Sequence, residues 1–318
     1  MSKTKIWLIA AVLLILIGCL ILCCVSVEAE GDFMKKEYET NRYEIYENYW
    51  DISVLAETAD VELVLSEDGT TSVTCFEESK MKHTVEVKKG KLVIAVVDTR
   101  QWYDHISFGD FKTPKITVCL PAGEYGALLV ESSTGRVHTP DKLLFDSIRI
   151  QLTTGAVQCL SSCHGEMSLQ TTTGGVTVNG VSADSLLLSV TTGKVSVSGA
   201  RLSGDVTLKV STGKAELSDV TCTRLASSGS TGSLVMRNVI ASESFSIKRS
   251  TGDVRFERCD AAEITVGVST GDVTGTLLSD KTYLASSGTG KVRVPENTVG
   301  GTCRITASTG DIELKTEE

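Results

Sequence analysis

Leu186-Leu187-Leu188-Ser189-Val190-Thr191-Thr192-Gly193-Lys194-Val195 is one copy of a phrase that this chain writes ten times. The copies turn on Gly135, Gly155, Gly174, Gly193, Gly213, Gly232, Gly252, Gly271, Gly290 and Gly310, always 19 or 20 residues apart. A period held that tightly marks a repeat architecture.

One unit shows what is being repeated. Two residues after each glycine stands an apolar side chain: Val137, Val157, Val176, Val195, Ala215, Leu234, Val254, Val273, Val292 and Ile312. Seven before it stand Leu128, Ile148, Met167, Leu186, Val206, Leu225, Phe245, Ile264, Tyr283 and Cys303. Alternation around both positions means short strands with one buried face. The glycine supplies a positive-φ corner without steric cost, and the Ser or Thr before it can bond nearby backbone. A unit this short cannot bury its own apolar face, so units must stack at about 4.8 Å per lap into a rod of roughly 45 Å. The sequence therefore predicts an all-β, single-stranded parallel β-solenoid (β-helix) over residues 126–318. It should have two or three strands per lap, a third face at Val181, Ala200, Val220 and Val239, and right-handed coiling by the default for parallel crossovers.

Outward from the rod, residues 49–125 read as a β-rich cap with degenerate coils, in which Thr58-Ala59-Asp60-Val61 imitates the repeat's turn. Such a cap covers the first edge. Residues 28–48 read as a juxtamembrane segment whose aromatics, with Tyr38, Tyr43 and Tyr46 leading to Tyr49 and Trp50, sit either at lipid headgroups or under the cap. Residues 6–27 carry no charge and at ~1.5 Å each match the ~30 Å hydrocarbon layer, so they read as a transmembrane signal anchor in contact with the lipid bilayer. Lys3 and Lys5 precede this span and Glu28, Glu30 and Asp32 follow it. That asymmetry leaves residues 1–5 as a cytoplasmic stub and sends the C-terminal domain outside, as a single-pass cell-membrane protein. Leu16-Ile17-Gly18-Cys19 offers lipoprotein processing at Cys19 as the rival.

Composition closes several routes. With 31 basic against 40 acidic side chains, a formal charge of −9, the chain lacks the basic surface that a phosphate backbone requires, so nucleic acid is excluded as a partner. Seven cysteines lie beyond the leader, an odd number, and most fall where the repeat puts core side chains. Cys159, Cys163 and His164 lack the second cluster that would complete a tetrahedral zinc set. Asp253 and Asp272, one residue after their glycines on adjacent laps, form the best carboxylate pair for a cation, and their ordinary alternative is two solvated turn residues. Asp104 and His105, beside Trp102 and Tyr103, sit in the cap as a ligand-loop candidate. No outer face gathers acids and bases over adjacent laps, so the reading is no enzyme and no cofactor. The stacked Ser/Thr stripe could meet a glycan or simply serve its own turns. The charged end Gly310–Glu318 is read as the rod's last lap, opposing end-to-end pairing and favouring a monomer.

Anchor, strand-rich cap and Ser/Thr-Thr-Gly-Asp/Lys-Val phrase together resemble a bacterial family of unknown function, catalogued as a "putative adhesin" with β-strand repeats (domain of unknown function 4097). Trp102-Tyr103-Asp104-His105 and Pro114-Lys115-Ile116-Thr117-Val118 are similar to its cap in Gram-positive anaerobes. The resemblance covers roughly residues 50–318. It implies an anchored, surface-exposed, non-catalytic solenoid acting as an adhesin-like or cell-envelope interaction scaffold, with a cell-wall glycan or a surface protein as partner. It brings no catalytic residues. The alternatives are a membrane-attached polymerising β-helix and a carbohydrate-active β-helix enzyme.

Overall fold

The computed structural model describes residues 7, 11–19, 37–100, 112–296 and 299–317. Residues 11–19 are helical. Among the described residues no helix is long and apolar enough to cross a membrane, and the rest of the 6–27 span lies outside them.

The chain is an all-β parallel solenoid. Each lap pairs in register with the next: Leu188 stands between Leu169 and Leu208, and Val195 between Val176 and Ala215. Side chains alternate in and out along each strand, so the inward columns, such as Val137-Val157-Val176-Val195, are buried. Val181, Ala200, Val220 and Val239 are also buried and form the third face. At Gly193 the lap has three strands, Val176–Asn179, Ser182–Ala183 and Ser185–Thr192.

The corner glycines set the lap spacing. Nine of the ten, all but Gly290 on the outermost lap, donate their N–H to the threonine carbonyl of a neighbouring lap, as Gly193 does to Thr212 at 2.9 Å. All ten have positive φ, between 126° and 154°. A Cβ on Gly193 would lie 1.7 Å from the carbonyl oxygen of Gly174. The corners therefore need glycine twice over, for conformation and for room.

Among the described residues the N-terminal region holds nine strands: β1 (Tyr38–Ile45), β2 (Asp51–Thr58), β3 (Asp60–Leu65), β4 (Thr71–Glu78), β5 (Met81–Lys88), β6 (Lys91–Asp98), β7 (Lys115–Leu120), β8 (Gly123–Thr134) and β9 (Val137–Thr139). β2 and β3 form a full lap beneath β8 and β9, with Thr58 in register with Thr134. Outside them lies a lap made of β6 and β7. Antiparallel strands then cover this end: β5 pairs with β6, β4 with β7, and β1 with β4. Of the two placements open to the aromatics of 38–50, most take the cap. Tyr38 stacks on Phe76, Tyr49 on Tyr125, and the Tyr43 hydroxyl donates to the His83 carbonyl; Tyr46 is exposed.

The opposite end corrects the expected lap order. Strand Gly301–Thr309 pairs on one side with the lap at Ile264 and on the other with strand Lys281–Thr289. The last segment of the chain is thus inserted between two earlier ones, and the outermost lap is 281–293, not 301–316. Val292, buried by analogy with its nine counterparts, is 40% exposed for this reason. The charges of 310–317 therefore do not guard the rod's end.

All seven cysteines beyond the leader are free, six of them buried. Burial pushes the Cys159 thiol up to about 11 and Cys163 to about 12, which makes them inert small core residues.

Gly193→Ala should cost about 3–5 kcal/mol of stability because backbone must move. Gly180→Ala, also at positive φ (67°) but with nothing within 4 Å, should cost only ~1–2 kcal/mol. Urea midpoints of the two variants against wild type measure the difference, and equal losses would contradict the stacked corners.

Candidate functional site

Eleven threonines stand in one exposed column beside the glycine corners, running from Thr58 and Thr134 through Thr192 to Thr309 and Thr289. Nine of their carbonyls accept a corner glycine's N–H and that of Thr134 accepts the N–H of Ala59, so the backbone role of this position is fulfilled without the hydroxyls. The stripe is uniform, and a functional site has to be sought where the repeat breaks.

The aspartates after the corners are one departure. Asp253 and Asp272 do stand on adjacent laps, but the Asp253 carboxylate accepts the backbone N–H of Asp272 at 2.9 Å, and Asp272 accepts that of Asp311 at 2.7 Å. Asp311 in turn accepts the N–H of Lys291 at 2.8 Å. These carboxylates cap the turn of the next lap in a ladder, and the inserted lap makes Asp311, not Lys291, the neighbour of Asp272. Cys159 and Cys163 are buried and give their S–H to the carbonyls of Ser161 and Gly165, while His164 is exposed. Asp104 and His105 lie outside the described residues.

Several outward charges are matched across laps. Glu216 takes Lys194 at 2.6 Å and Lys214 at 2.5 Å, and these bonds hold its carboxyl down at about 2. Arg224 meets Glu243, and Arg237 meets Glu257.

Arg249 is a charge of another kind. It occupies an inward position filled in neighbouring laps by Val190, Val210, Gly229, Val268 and Ala307, and it is 3% exposed. Two sequence irregularities make space for it. Gly229 is its partner in the lap below, and a Cβ there would lie 1.9 Å from Nη1 of Arg249. Ser227 replaces the usual aliphatic residue and accepts a hydrogen bond from Nη2 at 2.8 Å. Nε and Nη1 are buried without a partner, and no carboxylate among the described residues pairs with this guanidinium. Burial pushes its pKa below the ordinary arginine value.

Above Arg249 the surface opens into a groove of about 670 Å³. Lys209, Ser228, Lys248, Gly267 and Thr306 form one row across it, lap by lap. At about 4.8 Å per lap the two lysines flank the groove roughly 10 Å apart, and Gly229 and Gly267 keep its floor low. Ser211, Ser230, Ser250, Ser269 and Ser308 add a row of hydroxyls. The lining thus holds three cationic side chains and no carboxylate, in a chain whose overall charge is −9. Chemically this is a surface for an anionic group among neutral hydroxyls. Sequence reading passed over these residues because each looks like an ordinary variation of the repeat. The available signal was an arginine in an apolar column with Ser-Ser-Gly one lap earlier.

A family model described as Toastrack DUF4097 matches residues 49–209 and 197–318. No functionally curated protein matches the chain. Similar solved structures include a "putative lipid binding protein" from Parabacteroides distasonis ATCC 8503, at 13% identity and a TM-score of 0.49 over 87% of this chain and 97% of that one. Another is a "putative adhesin" from Parabacteroides merdae ATCC 43184, at 9% identity and a TM-score of 0.47 over 88% and 97%. A "putative adhesin" from Bacteroides fragilis NCTC 9343 shares 16% identity with a TM-score of 0.38 over 89% and 99%.

Burying an unpaired cation costs several kcal/mol. Arg249→Met should therefore leave stability unchanged or raise it by ~1–4 kcal/mol. Gly229→Ala in the wild-type background should lower it by about 2 kcal/mol or more, partly relieved when combined with Arg249→Met. Thermal or urea unfolding of the three variants measures this, and destabilisation by Arg249→Met would contradict the unpaired charge.

Proposed function

The chain belongs to the Toastrack family DUF4097, and on that footing we propose that it is a non-enzymatic interaction scaffold of the cell envelope, held at the membrane by residues 6–27 with the solenoid outside. Its groove over Arg249 takes the anionic groups of an envelope polymer. The observation that carries this reading is the groove's charge: Lys209 and Lys248 stand on its outer row with Arg249 buried beneath and no acidic residue in the lining, whereas elsewhere the outward charges are mixed in sign.

Catalysis finds little to build on. General acid-base work needs titratable groups brought together in a cleft, and the carboxylates that line up along the rod are engaged in capping backbone N–H groups of the next lap. A row of hydroxyls and lysines suits repeated, weak contacts with a polymer. The anchor rests on the sequence: an uncharged span flanked by Lys3 and Lys5 before and Glu28, Glu30 and Asp32 after. Head-to-tail polymerisation would need two open ends, and the antiparallel strands β1, β4 and β5 occupy the N-terminal one.

Titration of the purified chain with a polyglycerol-phosphate polymer and with neutral dextran tests the groove. The polyanion should bind, more weakly as salt rises, and Lys209→Ser with Lys248→Ser should lower affinity about 10-fold, each lysine contributing up to ~1 kcal/mol. Equal binding of dextran, or an unaffected double variant, would overturn the assignment. Protease treatment of intact cells checks the side: the solenoid should be digested from outside, and its protection would refute an external location.

A further inference from the structure

Cys75 and Glu77 stand two residues apart on β4 and so project from the same face. His83 follows on β5. The three side chains are buried, at 0%, 0% and 2% exposure, and their donor atoms all lie within 4.8 Å of one another. The Glu77 carboxylate is already oriented. Its Oε2 accepts the backbone N–H of His83 at 2.7 Å and lies 2.7 Å from Nδ1 of the same residue, while Oε1 accepts Nδ2 of Asn41 at 2.8 Å. The other imidazole nitrogen, Nε2, is buried without any hydrogen-bond partner. A carboxylate, a thiol and an imidazole packed together in the buried layer of the covering strands are costly to bury unless something unites them.

We propose that Cys75, Glu77 and His83 form a binding site for one divalent cation of the zinc class. The mixed sulfur, nitrogen and oxygen donors match that class, and a thiolate with a carboxylate balances a charge of two. Tetrahedral bonds of about 2.0–2.3 Å separate donors by roughly 3.3–3.6 Å. With Nδ1 of His83 as the nitrogen donor, the cluster reaches this by closing its widest gap by at most about 1.5 Å and opening the His83–Glu77 contact by about 0.6 Å. Asn41 on β1 then serves as the outer partner that holds the carboxylate, so the ion ties together β1, β4 and β5, the strands that cover the first lap. Three protein donors leave one position of four for water. On binding, the Cys75 thiol gives its proton to solvent and no electron is transferred. This site is separate from the groove over Arg249, and either can fail without the other.

The full-length chain, purified in detergent from zinc-supplemented cells, should carry about one zinc per chain by elemental mass spectrometry. Chelation should lower its melting temperature and added zinc should restore it. Cobalt in place of zinc should give a thiolate-to-metal charge-transfer band that Cys75→Ala abolishes. Glu77→Gln keeps the side chain's shape and should retain the strand signal in circular dichroism while binding zinc more than ~10-fold more weakly. A folded wild-type chain that holds no zinc after purification, and whose melting temperature does not move with zinc or chelator, would overturn the proposal. So would full zinc occupancy in a folded Cys75→Ala chain.

Discussion

The whole rod depends on one close contact, glycine against the backbone of the lap before it. At all ten corners the missing Cβ would fall 1.7–2.4 Å from a neighbouring carbonyl oxygen. That approach lets the glycine N–H reach a threonine carbonyl on the other side, and with the contact and the bond both in place the laps can stack in only one register. Register then decides burial, since a one-residue slip would turn every valine outward. Ala59 shows the same rule from its exception. It occupies the corner of the lap made by β2 and β3, where it still donates to Thr134, but the next backbone outward, at Pro114, is met by Asp60 instead. A methyl group is tolerated there because no glycine corner stacks on its outer side.

Both ends of the rod break chain order in the same way. At the N-terminal end the later strands β6 and β7 lie outside the earlier β2 and β3; at the C-terminal end the later strand Gly301–Thr309 lies inside the earlier Lys281–Thr289. The insertion has a local cause. Gly300 and Gly301 thread between laps, their absent Cβ atoms 1.9 Å from the Asp280 carbonyl and 1.7 Å from that of Ala262. Lys281, opposite Gly301 on the outer lap, is buried and pairs with Asp260 of the lap on the inner side at 2.7 Å. A terminal lap held on one face only would fray. Inserting strand Gly301–Thr309 gives it a neighbour on both sides and leaves the lap of 281–293 on the outside.

This explains what could be read from residues alone. The corner glycines, the inward valines and the third face follow from periodicity, because each lap feels the same environment and writes the same residues. Spatial order at the ends does not follow, since Gly290 and Gly310 keep the 20-residue spacing whichever lap lies outermost. The only trace of the swap was the pair Gly300-Gly301. The groove was hidden for a related reason. Lys209 and Lys248 are 39 residues apart in sequence and become neighbours across a single intervening lap only once the rod is wound. Cys75, Glu77 and His83 lie close in sequence, but a hairpin between β4 and β5 was needed to turn them toward one another.

In a solenoid, stability is close to a sum of laps and lap-to-lap contacts, so a local loss stays local. That is why a buried, unpaired arginine can persist at the middle of this rod. The laps on either side are regular, with Val210 and Val268 in the same column and Phe245 packed on Phe256, and they hold the defect in place. A globular core, where each residue touches many others, would spread the cost of such a charge through one cooperative unit. Here the repeat supplies the surplus stability and the exceptions carry the specificity. Ser227, Gly229 and Arg249 depart from the pattern together, on two adjacent laps, and each departure makes sense only with the other two. Gly229 leaves the room and Ser227 the acceptor that Arg249 needs, which is why the three departures fall together on two adjacent laps.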